Sequence, residues 1–90
     1  MATHTIKLHK EFCDAVLSGV KPFELRYNDR DYQVGDTVRF VPWDPLTASR
    51  VIHEIQRHEY RITYILRNKY YGLSEGYVAF GIREEGEQDG

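Results

Sequence analysis

Residues 19–26 read GVKPFELR, and this stretch decides how the rest of the chain is interpreted. Gly19 follows a segment with an apolar stripe. Glycine is the usual residue where the chain adopts a left-handed conformation at the end of an α-helix. Pro22 cannot donate a ladder hydrogen bond, so it suits the first position or the edge of a strand. After it apolar and charged residues alternate, and the side-chain period of two places Glu24 and Arg26 on one face. The stretch therefore predicts a helix end followed directly by a strand.

Three charged side chains lie within this stretch, and two interpretations of them stay open. Lys21 stands at the hinge between helix and strand, while Glu24 and Arg26 share the charged face. A carboxylate flanked by two cations can form a binding or catalytic site. It can equally be a solvated strand face, because structural ion pairs are common.

The remaining pattern predicts a mostly β fold with one or two helices. A helix is expected at 9–18 and strands at 3–8, 21–27, 37–41, 59–67 and 76–83. Pro42 to Pro45 is expected to end the third strand, with Trp43 in a turn. Apolar residues change parity between 51 and 66, which predicts a short strand from Val51 and then a turn or bulge near Gln56 to Glu59. Without repeated β-helix-β units, this order favours a small, mostly antiparallel β-barrel with a helix packed against it.

Composition and charge restrict the function classes. A length of 90 residues predicts a single domain, expected at 1–83. Four acidic residues after Arg83 predict a disordered acidic tail at 84–90. The net charge is −2, and without those four residues the body carries about +2, which permits modest contact with phosphate. The single Cys13 excludes an internal disulfide, and its place in the apolar helix stripe predicts a buried structural thiol.

Several site types find no support in the sequence. No apolar run approaches the roughly 20 residues that span a bilayer, so no membrane association is expected. A cytoplasmic location is expected instead. The four histidines lack the spacing of metal-ligand pairs, so no metal site is expected. No cofactor is expected either, since the glycine-rich phosphate loops are absent, and no serine stands in an esterase turn.

Aromatic residues are numerous for a small barrel. Tyr supplies seven of them, and Trp43 and the pair Tyr70-Tyr71 fall in predicted turns or loops. Exposed rings near basic side chains are what single-stranded bases stack on. The alternative is that these rings cover the open ends of the barrel, with their polar atoms in water.

At this point the chain resembles a known family. Residues 19–26 match the G-x-K-x-x-E-x-R signature of the ASCH domain, a branch of the PUA-like superfamily. Further matching stretches are 11–12, 15–19, 28–36, 43–45, 62–66, 72–73 and 76–78. Together they are similar to short stand-alone ASCH-like proteins of unknown function from bacteria and phages. The resemblance covers nearly the whole chain up to Arg83.

The resemblance implies a PUA-like β-barrel with a cleft beside the signature strand and a role in RNA or nucleotide binding. The signature residues thought to line that cleft correspond to Lys21, Glu24 and Arg26. On this hypothesis the two cations meet a phosphate or an acceptor edge of a base, and Glu24 accepts from an amine or a ribose hydroxyl. Trp43 or Tyr64 would stack on a base.

Two alternatives remain open. Some ASCH proteins are amidohydrolases of acylated cytidine, which would make Lys21 and Glu24 a proton-handling catalytic pair. Those enzymes have a Thr where Glu24 stands, so their covalent route is not supported here. The chain could instead be a phage or host interaction protein that uses a β edge or a Tyr-rich loop, and its mark would be an apolar patch away from the charged trio. The sequence does not predict the oligomeric state.

Overall fold

Six strands form one sheet, which curls strongly into a half-barrel, in the computed structural model of residues 1–86. The strands are β1 (Thr3–His9), β2 (Phe23–Tyr27), β3 (Thr37–Asp44), β4 (Ser49–Arg50), β5 (Glu59–Leu66) and β6 (Tyr77–Glu84). The helix α1 spans Lys10–Leu17, and two short 3-10 segments span Glu54–Arg57 and Lys69–Tyr71. The predicted mostly β fold with a helix is confirmed.

The strand order is β1-β3-β5-β6-β2, with β4 paired to β3 alone. β1 and β3 are parallel, with His4 opposite Val38 and Leu8 opposite Pro42, and the other pairs are antiparallel. β1 and β2 therefore stand at the two ends of the ladder, although they are the first two strands in the chain. The curl of the sheet brings these end strands together.

The hydrophobic core fills the half-barrel and is closed by α1. Alternate residues of β1, β3 and β6 point into it, and α1 adds Cys13 and Val16. Its buried members are Ile6, Leu8, Cys13, Val16, Tyr32, Val38, Phe40, Ile55, Tyr60, Ile62, Val78, Phe80 and Ile82. Alternation on one face of each strand and an apolar helix stripe are the patterns that generate such a core.

The helix end lies where the sequence predicts it. Gly19 has φ +83°, in the left-handed region that glycine adopts without a Cβ clash. Its N–H donates to Val16 O (3.1 Å), and the N–H of Lys21 donates to Ala15 O (2.9 Å). These bonds satisfy carbonyls of the last helical turn. They also fix the direction in which the chain enters β2.

The predicted end of the third strand at Pro42 was wrong, because β3 continues to Asp44 and includes Trp43. β5 pairs only with Thr37 to Arg39 of β3, so Pro42 lies beyond that ladder and its missing N–H interrupts no bond with β5. The Pro42 carbonyl accepts from Val51 N–H (3.1 Å). Trp43 is thus held in a strand rather than a turn.

The predicted short strand from Val51 was also wrong. β4 ends at Arg50, and the parity change is made by the 3-10 segment Glu54–Arg57, which overlaps the expected turn. His53 caps that segment, since its Nδ1 accepts from the N–H of Ile55 (3.0 Å). Ile55, an apolar residue of the predicted strand, belongs instead to the 3-10 segment and is fully buried.

A buried pair of polar side chains, His4 and Asp36, lies at the start of β1 and β3. His4 Nε2 is 2.8 Å from Asp36 Oδ2, and the backbone N–H groups of Ala2 (3.1 Å) and Gln33 (3.0 Å) donate to the same carboxylate. Burial alone would raise the pKa of Asp36, but these hydrogen bonds outweigh it and lower that pKa below its usual value. The carboxylate ties the chain start to the turn before β3.

The predicted tail lies partly outside the described residues. Glu84 belongs to β6, and its carboxylate is 3.0 Å from His58 Nδ1. Glu85 accepts from Thr37 Oγ1 (3.0 Å) and pairs with Arg61 (3.1 Å). β6 thus ends one residue past Arg83, and residues 87–90 of the predicted tail lie outside the part described. No helix among residues 1–86 is long and apolar enough to cross a membrane.

Candidate binding site at the strand seam

Lys21 and Arg26 converge on the buried carboxylate of Glu24. Glu24 is only 3% exposed, and its Oε2 accepts from Lys21 Nζ. Its Oε1 accepts from Arg26 Nε (3.0 Å) and Nη2 (2.8 Å). Both cations are partly shielded, with side chains 20% and 24% exposed. The three groups form one hydrogen-bonded unit with a formal charge of about +1, which we call the charged triad.

The triad forms because β2 turns its charged side chains inward and its apolar side chains outward, the reverse of the usual arrangement. Its charged residues face inward, whereas Phe23, Leu25 and Tyr27 are 50%, 56% and 57% exposed. The interpretation of the charged residues as a solvated strand face is therefore wrong. A charge taken out of water is tolerated only when paired and hydrogen-bonded, and both oxygens of Glu24 meet that condition.

Arg26 also joins the two end strands of the sheet. Its Nη2 donates to the backbone carbonyl of Lys7 in β1 (2.6 Å). Since β1 and β2 are the first and last strands of the ladder order, this bond crosses the gap that remains when the sheet curls. We call this line of approach between β1 and β2 the seam.

A cavity of about 510 Å³ opens along the seam, and we call it the seam cavity. Four of its lining residues are cations and one is a carboxylate. They are Lys7, Arg26, Arg30, Arg50 and Asp29, with Tyr27, Tyr32, Trp43, Thr5, Ile6 and Val41 completing the wall. Such a surplus of positive charge attracts anions and focuses the field inside a concave wall.

Strand register explains why cations surround Trp43. Lys7 of β1 lies opposite Val41, which precedes Trp43 by two residues and shares its face of β3. Arg50 of β4 lies directly opposite Trp43. Lys7 Nζ stands 3.9 Å from the centroid of the Trp43 ring, a cation–π contact. The indole is half-buried, so it is held in position and still reaches the cavity.

A second cavity of about 400 Å³ lies on the other side of Arg26, and we call it the signature cavity. Its walls are more apolar than those of the seam cavity, and its charged groups are mainly the triad. The lining residues are Lys7, Leu8, His9, Phe12, Lys21, Phe23, Glu24, Leu25 and Arg26. Lys21 Nζ is 5.3 Å from the Phe12 ring centroid and 4.9 Å from that of Phe23.

Two groups near the site have pKa values above their usual range. Burial raises the pKa of Tyr32, against an opposite effect of the cations Arg26 and Arg30. Burial, followed by the charges of Asp14 and Glu24, raises the pKa of Cys13. The Cys13 thiol is fully buried and therefore held as a thiol, as predicted for a structural cysteine.

Four of the five predicted site residues line these two cavities, and Tyr64 does not. Lys21, Glu24 and Arg26 line the signature cavity, and Arg26 and Trp43 line the seam cavity. Tyr64 lies in β5 opposite Gly81, beside the bulge that follows Ile62, and is 68% exposed. The structure therefore does not place Tyr64 next to the triad.

Sequence reasoning missed Lys7, Arg30 and Arg50 as site residues. Lys7 stands on the polar side of an alternating strand, a signal that predicts exposure but no partner. Arg50 belongs to a two-residue strand, and Arg30 to a connection rich in turn residues. Nothing in their spacing indicates that three separate segments meet.

Two further observations concern potential metal ligands and exposed apolar residues. Among residues 1–86, no three or more His, Cys, Asp or Glu side chains are grouped so that they could hold a metal ion. An apolar outward face does exist on β2, where Phe23, Leu25 and Tyr27 are exposed. Tyr77 and Ala79 of β6 lie opposite Tyr27 and Leu25 on that face. This face belongs to the strand that carries the triad, and Phe23 and Leu25 also line the signature cavity, so it is not the separate apolar patch expected of an interaction protein.

Comparison with known proteins identifies relatives whose function is also unknown. A family model described as a domain of unknown function, DUF3850, matches residues 3–82. A 40-residue stretch is 45% identical to an "uncharacterized 12.9 kDa protein in GpA 3'region" of Escherichia phage P2. That stretch covers 44% of this chain and 37% of the phage protein. Neither description mentions an ASCH domain, so that resemblance stays a prediction.

Proposed function

The chain belongs to the DUF3850 family, whose function is unknown, and we propose that it binds RNA or a nucleotide at the seam. The observation that carries this proposal is the seam cavity itself. Four cationic side chains and one carboxylate surround it, and Trp43 is held among them. Phosphate needs the cations, and a base needs a flat ring to stack on.

The triad has a defined part in this function. Glu24 uses both oxygens to hold Lys21 and Arg26, so it fixes where the two cations stand. Arg26 uses Nε and Nη2 for Glu24 and Lys7 O, and Nη1 has no partner among residues 1–86, so we propose that Nη1 donates to a phosphate. A preorganised guanidinium loses less side-chain entropy on binding than a free one.

The ASCH resemblance agrees with this proposal. It implies a cleft beside the strand that carries Lys21, Glu24 and Arg26, and both cavities lie beside that strand. We propose that the family relation extends to the PUA-like superfamily and that the cleft of that resemblance is the pair of cavities described here.

The hydrolase alternative has one observation in its favour, the direct contact between Lys21 and Glu24. Against it, both Glu24 oxygens already accept hydrogen bonds from cations, and no hydroxyl stands at this position of the strand. Turnover of acylated nucleosides that disappears in Lys21→Ala would support the hydrolase. Turnover equal in both proteins would exclude these two residues as its catalytic pair.

Titration with Trp43 fluorescence tests the binding proposal, because the chain contains a single Trp. Nucleoside monophosphates and short RNA strands should quench or shift this emission. The association constant should fall with salt, by a logarithmic slope of about −0.7 per phosphate contacted on a single strand. Lys7→Ala should weaken binding several-fold. The matched control is Lys69→Ala, an exposed lysine that lines neither cavity.

Three outcomes would contradict the proposal. The first is no response to any nucleotide or strand at low salt. The second is binding that is insensitive to salt. The third is an equal loss of affinity in Lys7→Ala and Lys69→Ala, which would show that the cations act through net charge rather than position.

A further inference from the structure

The two cavities are adjacent chambers that share two cations. Lys7 and Arg26 line both the seam cavity and the signature cavity. They are also joined to each other, through the bond from Arg26 Nη2 to Lys7 O. A ligand that extends from one chamber to the other must therefore pass these two cations.

Each chamber has its own aromatic wall. The seam cavity has Trp43, and the signature cavity has Phe12 and Phe23, which are 39% and 50% exposed. His9 stacks on Phe12, with ring centroids 6.3 Å apart, and Lys21 Nζ lies near both phenyl rings, so a base would use the ring surface that these groups leave exposed. Stacking on such rings tolerates any base. The chambers thus offer two separate places for a base.

The charge differs between the chambers in a way that orders a ligand. In the signature cavity Glu24 pairs with Lys21 and Arg26 and offsets one of their two charges, and apolar side chains form much of the rest. In the seam cavity Arg30 and Arg50 add to the shared cations, and Asp29 offsets one of these charges. A phosphate is therefore favoured at the shared cations and towards the seam cavity, and a base with a polar edge is favoured beside Glu24.

Resting on the function proposed above, we infer that the ligand is a single-stranded nucleic acid read as two consecutive nucleotides. One base lies in the signature cavity with its edge at the triad, the linking phosphodiester lies on Lys7 and Arg26, and the next base stacks on Trp43. A duplex cannot meet this arrangement, because its bases are paired and stacked on each other and cannot enter two walls separately.

Lys7 and Trp43 each have a part in this arrangement. Lys7 Nζ lies 3.9 Å from the centroid of the Trp43 ring. A phosphodiester at the shared cations recruits this ammonium and uncovers the ring face for the second base. On binding, the phosphate thus replaces the indole as the partner of Lys7, and the second base replaces Lys7 as the partner of the indole.

The experiment compares ligands of increasing length by Trp43 fluorescence and calorimetry. The probes are inorganic phosphate, 5′-mononucleotides, dinucleoside monophosphates, a hexanucleotide and a duplex of the same sequence, each as ribose and deoxyribose forms. We expect a dinucleoside monophosphate to bind roughly 5- to 150-fold more tightly than either mononucleotide, the range that one more stacked base supplies. Further length should add little per site, and the duplex should bind more weakly than its strands.

Variants of the signature cavity locate the second base. Phe12→Ala, and Phe23→Ala as a second variant, should bring the affinity for the dinucleotide down to that for the mononucleotide and leave the mononucleotide bound on Trp43 unchanged. Tyr70→Ala is the matched aromatic control, since Tyr70 is 86% exposed and lines neither cavity. Circular dichroism confirms that each variant is folded.

The outcomes separate this inference from the function on which it rests. If mononucleotides and dinucleotides bind equally, or if Phe12→Ala weakens both equally, the two-chamber arrangement is wrong while nucleotide binding stands. If the duplex binds as tightly as its strands, the inference of a single strand is wrong. If no nucleotide binds, both the inference and the proposed function fail.

Discussion

Glu24 and Asp36 are carboxylates that are shielded from water to the same degree, and only one of them belongs to a candidate site. Both side chains are 3% exposed. Asp36 receives its hydrogen bonds from His4, which is itself buried, and from two backbone N–H groups. Glu24 receives its bonds from two cationic side chains that also line cavities. The difference teaches that burial of a carboxylate does not by itself indicate a site, and that the candidate site is distinguished by partners that line cavities.

The largest effect is expected from Glu24→Ala. We expect the free energy of unfolding to fall by about 3 kcal/mol, because Lys21 and Arg26 lose a buried partner and remain partly shielded. Nucleotide binding should be lost as well, since neither cation is then held in position. Urea denaturation and Trp43 fluorescence measure the two effects. Glu24→Gln is the matched control, because it keeps the volume and removes the charge.

A loss below about 1 kcal/mol in Glu24→Ala would show that both cations relax into water, as exposed ion pairs do. The triad would then be no more organised than a surface pair, and its contrast with Asp36 would disappear.

Asp36→Asn should destabilise the protein by about 2 kcal/mol at neutral pH and leave nucleotide affinity unchanged. The pKa of Asp36 is lowered in the folded state, so its stabilisation is complete above the unfolded pKa of about 3.9. This contribution disappears as the pH falls through the lower folded pKa. Urea midpoints between neutral pH and strong acid should therefore decline less steeply in the variant. Parallel decline in both proteins would contradict this assignment.

Arg26→Lys should reduce stability by about 1 kcal/mol and affinity about tenfold, because an ammonium cannot replace a fork that bonds Glu24 and Lys7 O together. Arg61→Lys is the matched control, since Arg61 also pairs with a carboxylate, that of Glu85 (3.1 Å), and lines neither cavity. It should affect stability without affecting affinity. Equal affinities of the two variants would place the ligand away from the seam.

The smallest effect is expected from Arg50→Ala. Stability should stay within about 0.5 kcal/mol, as is usual for exposed positions. The logarithmic salt slope of binding should become shallower by about 0.7, the value of one phosphate contact on a single strand. Arg39→Ala removes the same charge from a site paired with Glu59 (3.3 Å) and lining neither cavity. A slope that changes equally in both variants would remove Arg50 from the site.

Local patterns predicted much of the fold because they act over a few residues. The Gly19 helix end and the strands β1, β5 and β6 follow from turn chemistry and alternation. Pro42 misled the prediction because a proline ends a strand only where its N–H is needed in a ladder, and β5 has already diverged there. The parity change after Val51 was recognised, but parity alone does not distinguish a bulge from a 3-10 turn.

The site could be predicted only in part, for a reason of geometry. Lys21, Glu24 and Arg26 are close in sequence, so their meeting needs one strand alone. Which face of that strand turns inward is decided by the closure of the sheet, and alternation gives the period without the side. Lys7, Arg30 and Arg50 come from separate segments brought together by the curl. A pattern within one strand carries no information about such contacts.

The crossing of the seam by one Arg26 side chain has a consequence for backbone dynamics. β1 and β2 each have a ladder partner on one side only, whereas β6 is paired on both sides. Amide hydrogens of the two end strands should therefore exchange with deuterium faster than those of β6. A ligand that spans the seam should slow exchange in both end strands at once. Such joint protection of two segments that share no ladder would appear in a mass-spectrometric exchange map even before the ligand itself is identified.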